Sequence, residues 1–142
     1  MSCVLDAAIN AKIWYTDIGI TSNEFENLVD KTGCRHGSVI DINPALEFLG
    51  LKIVEGIWDL DWVKNHLPVA VGIIDPKYYN HLVLIEKVEN NILYLINSSF
   101  EFLTWEELLD HRTPKNYKPS IPISYEEGNQ WDMDGVNMLK KN

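Results

Sequence analysis

Cys3, His81 and Asn97 supply, in that order along the chain, a thiol, an imidazole and a carboxamide. Those are the parts of a nucleophilic acyl-transfer site. A thiolate attacks a carbonyl, an imidazole moves the proton, and an amide holds the imidazole in one tautomer. Apolar residues after the cysteine fall at Val4, Ala7, Ala8, Ala11, Trp14 and Tyr15, which is the spacing of one buried helix face. Cys3 therefore opens a helix, where unpaired backbone N–H groups and the positive end of the helix dipole favour a thiolate. Taken singly, each residue has a plainer role. A helical cysteine is more often a small buried hydrophobe, a strand histidine a satisfied core or edge residue, and Asn97, followed by Ser98 and Ser99, a turn residue. The weight rests on the combination.

The elements that must position these residues are legible in the pattern. Val69 to Ile74, Leu82 to Val88 and Ile92 to Ile96 are rich in β-branched and aliphatic residues and predict strands. Glu89, Asn90 and Asn91 form a polar turn between the last two runs, so these strands should pair as an antiparallel hairpin. His81 then enters one strand where Asn97 leaves its partner, and both fall at the same open end. Upstream, Thr21 or Ser22 caps a second helix carrying Phe25, Leu28 and Val29, with Glu24 completing a capping box and Gly33 as the stop. A third helix has Asn43 as cap, Pro44 at its first position, Leu46, Phe48 and Leu49 facing inward, and Gly50 past its end. Leu51 to Val54 begins the sheet. Asp59 or Asp61 starts a short helix through Trp62 and Val63 that Pro68 ends. Thr104 and Glu107 form another capping box ahead of Leu108 and Leu109.

Three stretches carry a family resemblance: Leu67-Pro68-Val69-Ala70-Val71-Gly72, Asn80-His81-Leu82-Val83-Leu84-Ile85 and Leu95-Ile96-Asn97-Ser98-Ser99. With Phe102-Leu103-Thr104-Trp105-Glu106-Glu107-Leu108 following, and a central segment from Gly37 to Gly50, residues 3 to 109 resemble the papain-like cysteine peptidases. The likeness is greatest to the bacteriocin-processing, double-glycine leader peptidases and their stand-alone relatives. The resemblance implies an α+β, papain-like fold, with N-terminal helices packed on a small antiparallel sheet. It implies a thiol protease or amidase, a hydrolase whose nucleophile is Cys3, whose general base and then acid is His81, and whose orienting group is Asn97, on a peptide or protein substrate. The family more often has aspartate at the last position, and papain has asparagine. The family's Gly-Pro-Ala-Ala after the cysteine is replaced by Val4-Leu5-Asp6-Ala7-Ala8. Its oxyanion-stabilising glutamine lies several residues before the cysteine, where this sequence has Met1 and Ser2, so that donor is expected from elsewhere. Loss of one such donor typically costs about 10²–10³ in turnover. An alternative reading follows from those departures: a catalytically silent papain-like module that binds a partner or builds a larger assembly such as a phage particle.

Composition narrows the remaining classes. The 142 residues suit one globular domain, and 46% apolar with 23% charged residues is ordinary soluble usage. Twelve basic against 21 acidic residues give a net charge of -9, which disfavours a phosphate-tracking nucleic-acid surface. Asp6 and Lys12 interrupt the first apolar stretch, so no signal peptide is expected, and the run from Val69 to Ile74 is too short to span a bilayer. A cytoplasmic protein with no membrane association is expected. Cys3 and Cys34 are not a disulfide framework, and no zinc spacing or Gly-rich phosphate loop is present, so no metal or cofactor is expected. Cys34-Arg35-His36 reads as loop filler between Gly33 and Gly37. The domain is expected over residues 1–111. Pro114, Pro119 and Pro122 then break the pattern, so residues 112–142 are expected to form an irregular tail. Trp131 and Met133 require that tail to dock on the domain or on a partner.

Overall fold

The computed structural model describes residues 3–33, 41–114 and 136–142. These residues form an α+β fold of five helices and six antiparallel strands. Helix α1 (Cys3–Thr16) is followed by α2 (Ser22–Thr32), α3 (Asn43–Leu49), β1 (Leu51–Glu55) and α4 (Leu60–Asn65). Then come β2 (Val69–Asp75), β3 (Tyr79–Glu89), β4 (Ile92–Ile96), β5 (Phe102–Thr104), α5 (Trp105–His111) and β6 (Val136–Lys141). One sheet holds all six strands in the order β1-β6-β2-β3-β4-β5.

Strand alternation divides the core between the two faces of this sheet. Ala70, Leu82, Leu84 and Leu139 pack against Val4, Leu5, Ala7, Ala8 and Ala11 of α1, with Leu28 of α2 and Leu46 and Leu49 of α3. Val69, Val71, Ile73, Val83, Ile85 and Leu93 pack on the other face against Val63 of α4 and Leu108 of α5. The alanines let α1 lie close on β3. Its far end is fastened by two indole and phenol donors: Trp14 Nε1–H to the Glu86 carbonyl and Tyr15 Oη–H to the Leu139 carbonyl, both at 2.8 Å. Glu86 sits where the β3–β4 register slips between Ile85 and Lys87, so Trp14 serves a carbonyl at the irregularity. From Cys3 to Trp14 the helix advances about 16 Å, and from Leu82 to Glu86 the strand advances about 13 Å. Docking at Glu86 thereby sets Cys3 beside the start of β3.

Most element ends follow local rules. Thr21 and Thr104 make reciprocal capping boxes with Glu24 and Glu107, and Asp59 caps α4 through the Trp62 N–H. Asn90 and Asn91 have φ of 50° and 67°, the left-handed pair that a two-residue hairpin turn requires. At α3 the cap position is Ile42 rather than Asn43, and the Asp41 carboxylate takes the Asn43 N–H at 3.0 Å. Phe48, expected to face inward, is 42% exposed.

The expected irregular tail is corrected at its end. Residues 136–141 form β6, which lies between β1 and β2 and pairs with both. Val136 and Leu139 are buried in the two cores. The sheet is thus larger than expected, and its second strand comes from beyond residue 111. Arg112 also bridges to Ile73. Trp131, Met133 and the Cys34-Arg35-His36 segment lie outside the described residues. Among the described residues, no helix is long and apolar enough to cross a membrane, and no cluster of His, Cys, Asp or Glu could hold a metal ion.

Candidate active site

The site forms where β3 runs on past the end of its pairing with β4. The last β3–β4 pair at this end is Leu84 with Ile96, and Asn97, with φ of 61°, turns the chain away. On the other side of β3, the Gly72 carbonyl opposite Leu82 is taken by the Thr113 N–H at 3.0 Å. In an antiparallel ladder Gly72 and Leu82 are therefore a non-hydrogen-bonded pair, and the Leu82 N–H points toward the opening left by β4. The Leu82 N–H there, with those of Cys3 and Val4, acts on the Cys3 thiol. Two of these belong to the first turn of α1, as expected of a cysteine at a helix start.

His81 is 6% exposed and its Nε2 lies 2.5 Å from the Asn97 carbonyl oxygen. A carbonyl only accepts, so Nε2 carries a proton, and Nδ1 is the nitrogen that can bear a lone pair. Tyr78 stacks on the imidazole, with ring centroids 4.7 Å apart and planes 23° from parallel. Alternation gives His81 the parity of Val83 and Ile85 rather than that of Leu82 and Leu84. That parity places the imidazole on the sheet face opposite the one α1 covers, while Cys3 packs with the Leu82 and Leu84 face.

The structure brings the three expected residues to one end of the sheet, with two differences from the expected roles. His81 is oriented by the main chain of Asn97, and the Asn97 side-chain amide instead acts on the Asp6 carboxylate. The imidazole is also not among the groups that act on the Cys3 thiol. Burial pushes that thiol up, the Asp6 charge adds to the effect, and the three N–H groups pull the other way. At rest Cys3 is a protonated thiol.

No protein-family model and no curated protein matches the chain.

Four groups beyond the expected three shape it. Asp6 stands one helical turn after Cys3, a spacing that puts both on one face of α1. Burial pushes its carboxyl up, against the amides of Asn10 and Asn97 and the His81 charge. Its spacing from Cys3 was the available signal. Asp6 also lines a groove of about 490 Å³ with Ile9, Ile20, Phe25 and Glu26, so the site continues between α1 and α2. Tyr78 and Asp75 had only the turn signal of Asp75-Pro76 to mark them. The Leu82 N–H had none, because its orientation depends on where β4 turns away.

Proposed function

We propose that this chain is a papain-like cysteine peptidase or amidase acting on peptide or protein substrates. The observation that supports the reading is the His81 Nε2 bond to the Asn97 carbonyl, which leaves Nδ1 as the nitrogen open to a proton, one residue before the Leu82 N–H that acts on the Cys3 thiol. A ring held by one nitrogen and a flat aromatic contact is oriented for proton transfer at the other.

The steps follow from these groups. Nδ1 of His81 takes the Cys3 proton as the sulfur attacks the substrate carbonyl carbon, and the carbonyl oxygen becomes an oxyanion. The Cys3 backbone N–H at the start of α1 is one donor for that charge. The oxyanion collapses, the C–N bond breaks, and His81 gives its proton to the leaving amine, which leaves a thioester on Cys3. His81 then takes a proton from water, hydroxide adds to the thioester carbon, the C–S bond breaks to release the acid, and His81 returns its proton to the Cys3 sulfur. Because burial keeps Cys3 protonated, His81 acts as a general base during attack. Asp6 and the groove it lines offer the adjoining surface to the substrate chain.

A second reading has its own support. Burial of the thiol and the engagement of the Asn97 amide by Asp6 suit a silent papain-like module that serves as a binding or structural part of a larger assembly. A soluble, cytoplasmic setting accords with either reading. Incubating the full chain with a defined peptide library and reading new termini by mass spectrometry separates the two. Cleavage that disappears in Cys3→Ala and His81→Ala supports the enzyme. Cleavage unchanged in Cys3→Ala, or none in the parent chain, rejects it.

A further inference from the structure

We infer that Asp75 is a positioning residue for His81, a buried carboxylate that fastens both segments holding the imidazole. The inference rests on the reading of His81 as the base. Asp75 ends β2 and is fully buried. Its Oδ1 accepts from the Lys77 N–H at 2.9 Å, the Tyr78 N–H at 3.2 Å and the Ser99 hydroxyl. Its Oδ2 accepts from the Ser99 N–H at 2.8 Å and the Ser98 hydroxyl at 3.3 Å. Among the described residues no cation pairs with it, so N–H and O–H donors alone satisfy its charge.

The partners divide into two groups. Lys77 and Tyr78 form the β2–β3 turn, and Tyr78 is the ring stacked on His81. Ser98 and Ser99 follow Asn97 directly, whose carbonyl takes the His81 Nε2–H. An aspartate that served only its own turn would need the first group alone. Asp75 also reaches across to the segment after β4, and so fixes the carbonyl and the aromatic face relative to each other. It never touches the imidazole. Outer partners of this kind set the tautomer and direction of a working histidine, and small misplacements of a reacting group can cost about 100-fold in rate.

Asp75→Asn tests this because the amide has the same shape but one nitrogen. With the amide oxygen kept on Lys77 and Tyr78, the nitrogen faces the Ser99 N–H, two donors oppose each other, and the segment after Asn97 must shift. The readouts are the 15N signals of the His81 ring in the labelled full chain, identified by their loss in His81→Gln, and the pH midpoint of Cys3 alkylation. Circular dichroism establishes that each variant is folded. The expected result is loss of the fixed Nε2–H pattern and a moved midpoint, with alkylation at pH 7 slowed about 10- to 100-fold. A folded Asp75→Asn chain with parental His81 signals and midpoint would overturn the inference. If that variant fails to fold, Ser98→Ala combined with Ser99→Ala keeps the carboxylate and its N–H partners while removing both hydroxyls. Unchanged His81 signals in that chain overturn it equally. The ring signals do not depend on turnover, so their outcome is separate from that of the Cys3→Ala cleavage experiment.

Discussion

His81 Nε2 lies 2.5 Å from the backbone carbonyl oxygen of Asn97, while the Asn97 side chain turns to Asp6. The orienting contact therefore survives replacement of the asparagine side chain, provided the backbone keeps its left-handed turn. Asparagine tolerates φ of 61° better than most residues.

Asn97→Gly keeps the turn and the carbonyl. It should retain most of the parent kcat/KM, whereas removing the base in His81→Ala should cost roughly 10²–10⁴-fold. Asn97→Ala must hold a Cβ in the left-handed region at a cost of about 1–2 kcal/mol, visible in urea unfolding. Steady-state kinetics on any cleaved library peptide orders the three variants, and equal losses in Asn97→Gly and His81→Ala would contradict the backbone role.

Asp6→Asn removes a negative charge that helps push the Cys3 thiol up. With that charge gone the thiolate is less disfavoured, so the alkylation profile of Cys3 should move to lower pH. A profile that stays in place or moves upward would show that Asp6 does not bear on the sulfur.

Burial raises the Asp75 carboxyl, but the Ser99 hydroxyl and N–H with the Lys77 and Tyr78 N–H groups outweigh it, and the group falls from 3.8 to about 2. A folded-state value below the unfolded one gives stability that is fully present above about pH 4 and is lost as pH falls through about 2. The difference corresponds to roughly 2 kcal/mol. Urea unfolding of the parent and Asp75→Asn should show a gap that narrows by about that amount between pH 4 and pH 2, and a gap independent of pH would contradict the assignment.

Trp14 and Tyr15 fasten the end of α1 that lies farthest from Cys3. Trp14 is 41% exposed, so water can replace its N–H, and Trp14→Phe should cost about 1 kcal/mol or less from the lost bond. Tyr15→Phe strands the carbonyl of fully buried Leu139 and should cost about 1–3 kcal/mol. Denaturant unfolding measures both, with the larger loss expected at Tyr15.

The sequence legibility of this fold follows physical strength. Helices with capping boxes at Thr21 and Thr104, and the hairpin turn at Asn90-Asn91, were readable because their signals are local. β6 was not, since Val136-Asn137-Met138-Leu139 is followed by two lysines after a proline-broken stretch. Only pairing on both sides, with β1 and β2, makes it a strand. β5 is three residues long and runs into the cap of α5. At the site, residue order placed His81 and Asn97 together through hairpin register. The use of a main-chain carbonyl, and the action of the Asn97 amide on Asp6, depend on a single positive φ that no composition rule dictates.

The most direct test of the central claim is the rate of Cys3 alkylation by iodoacetamide across pH 5 to 10, in the parent chain and in His81→Ala, with peptide mapping to separate Cys3 from Cys34. If His81 is the base for Cys3, the parent should alkylate at Cys3 faster than His81→Ala does below the ordinary thiol range, because the imidazole takes the proton as the sulfur attacks. In His81→Ala, with no base to take the proton, Cys3 should react only where the thiol ionises unaided, above the ordinary thiol range. Identical Cys3 profiles in the two chains would contradict a Cys3–His81 pair.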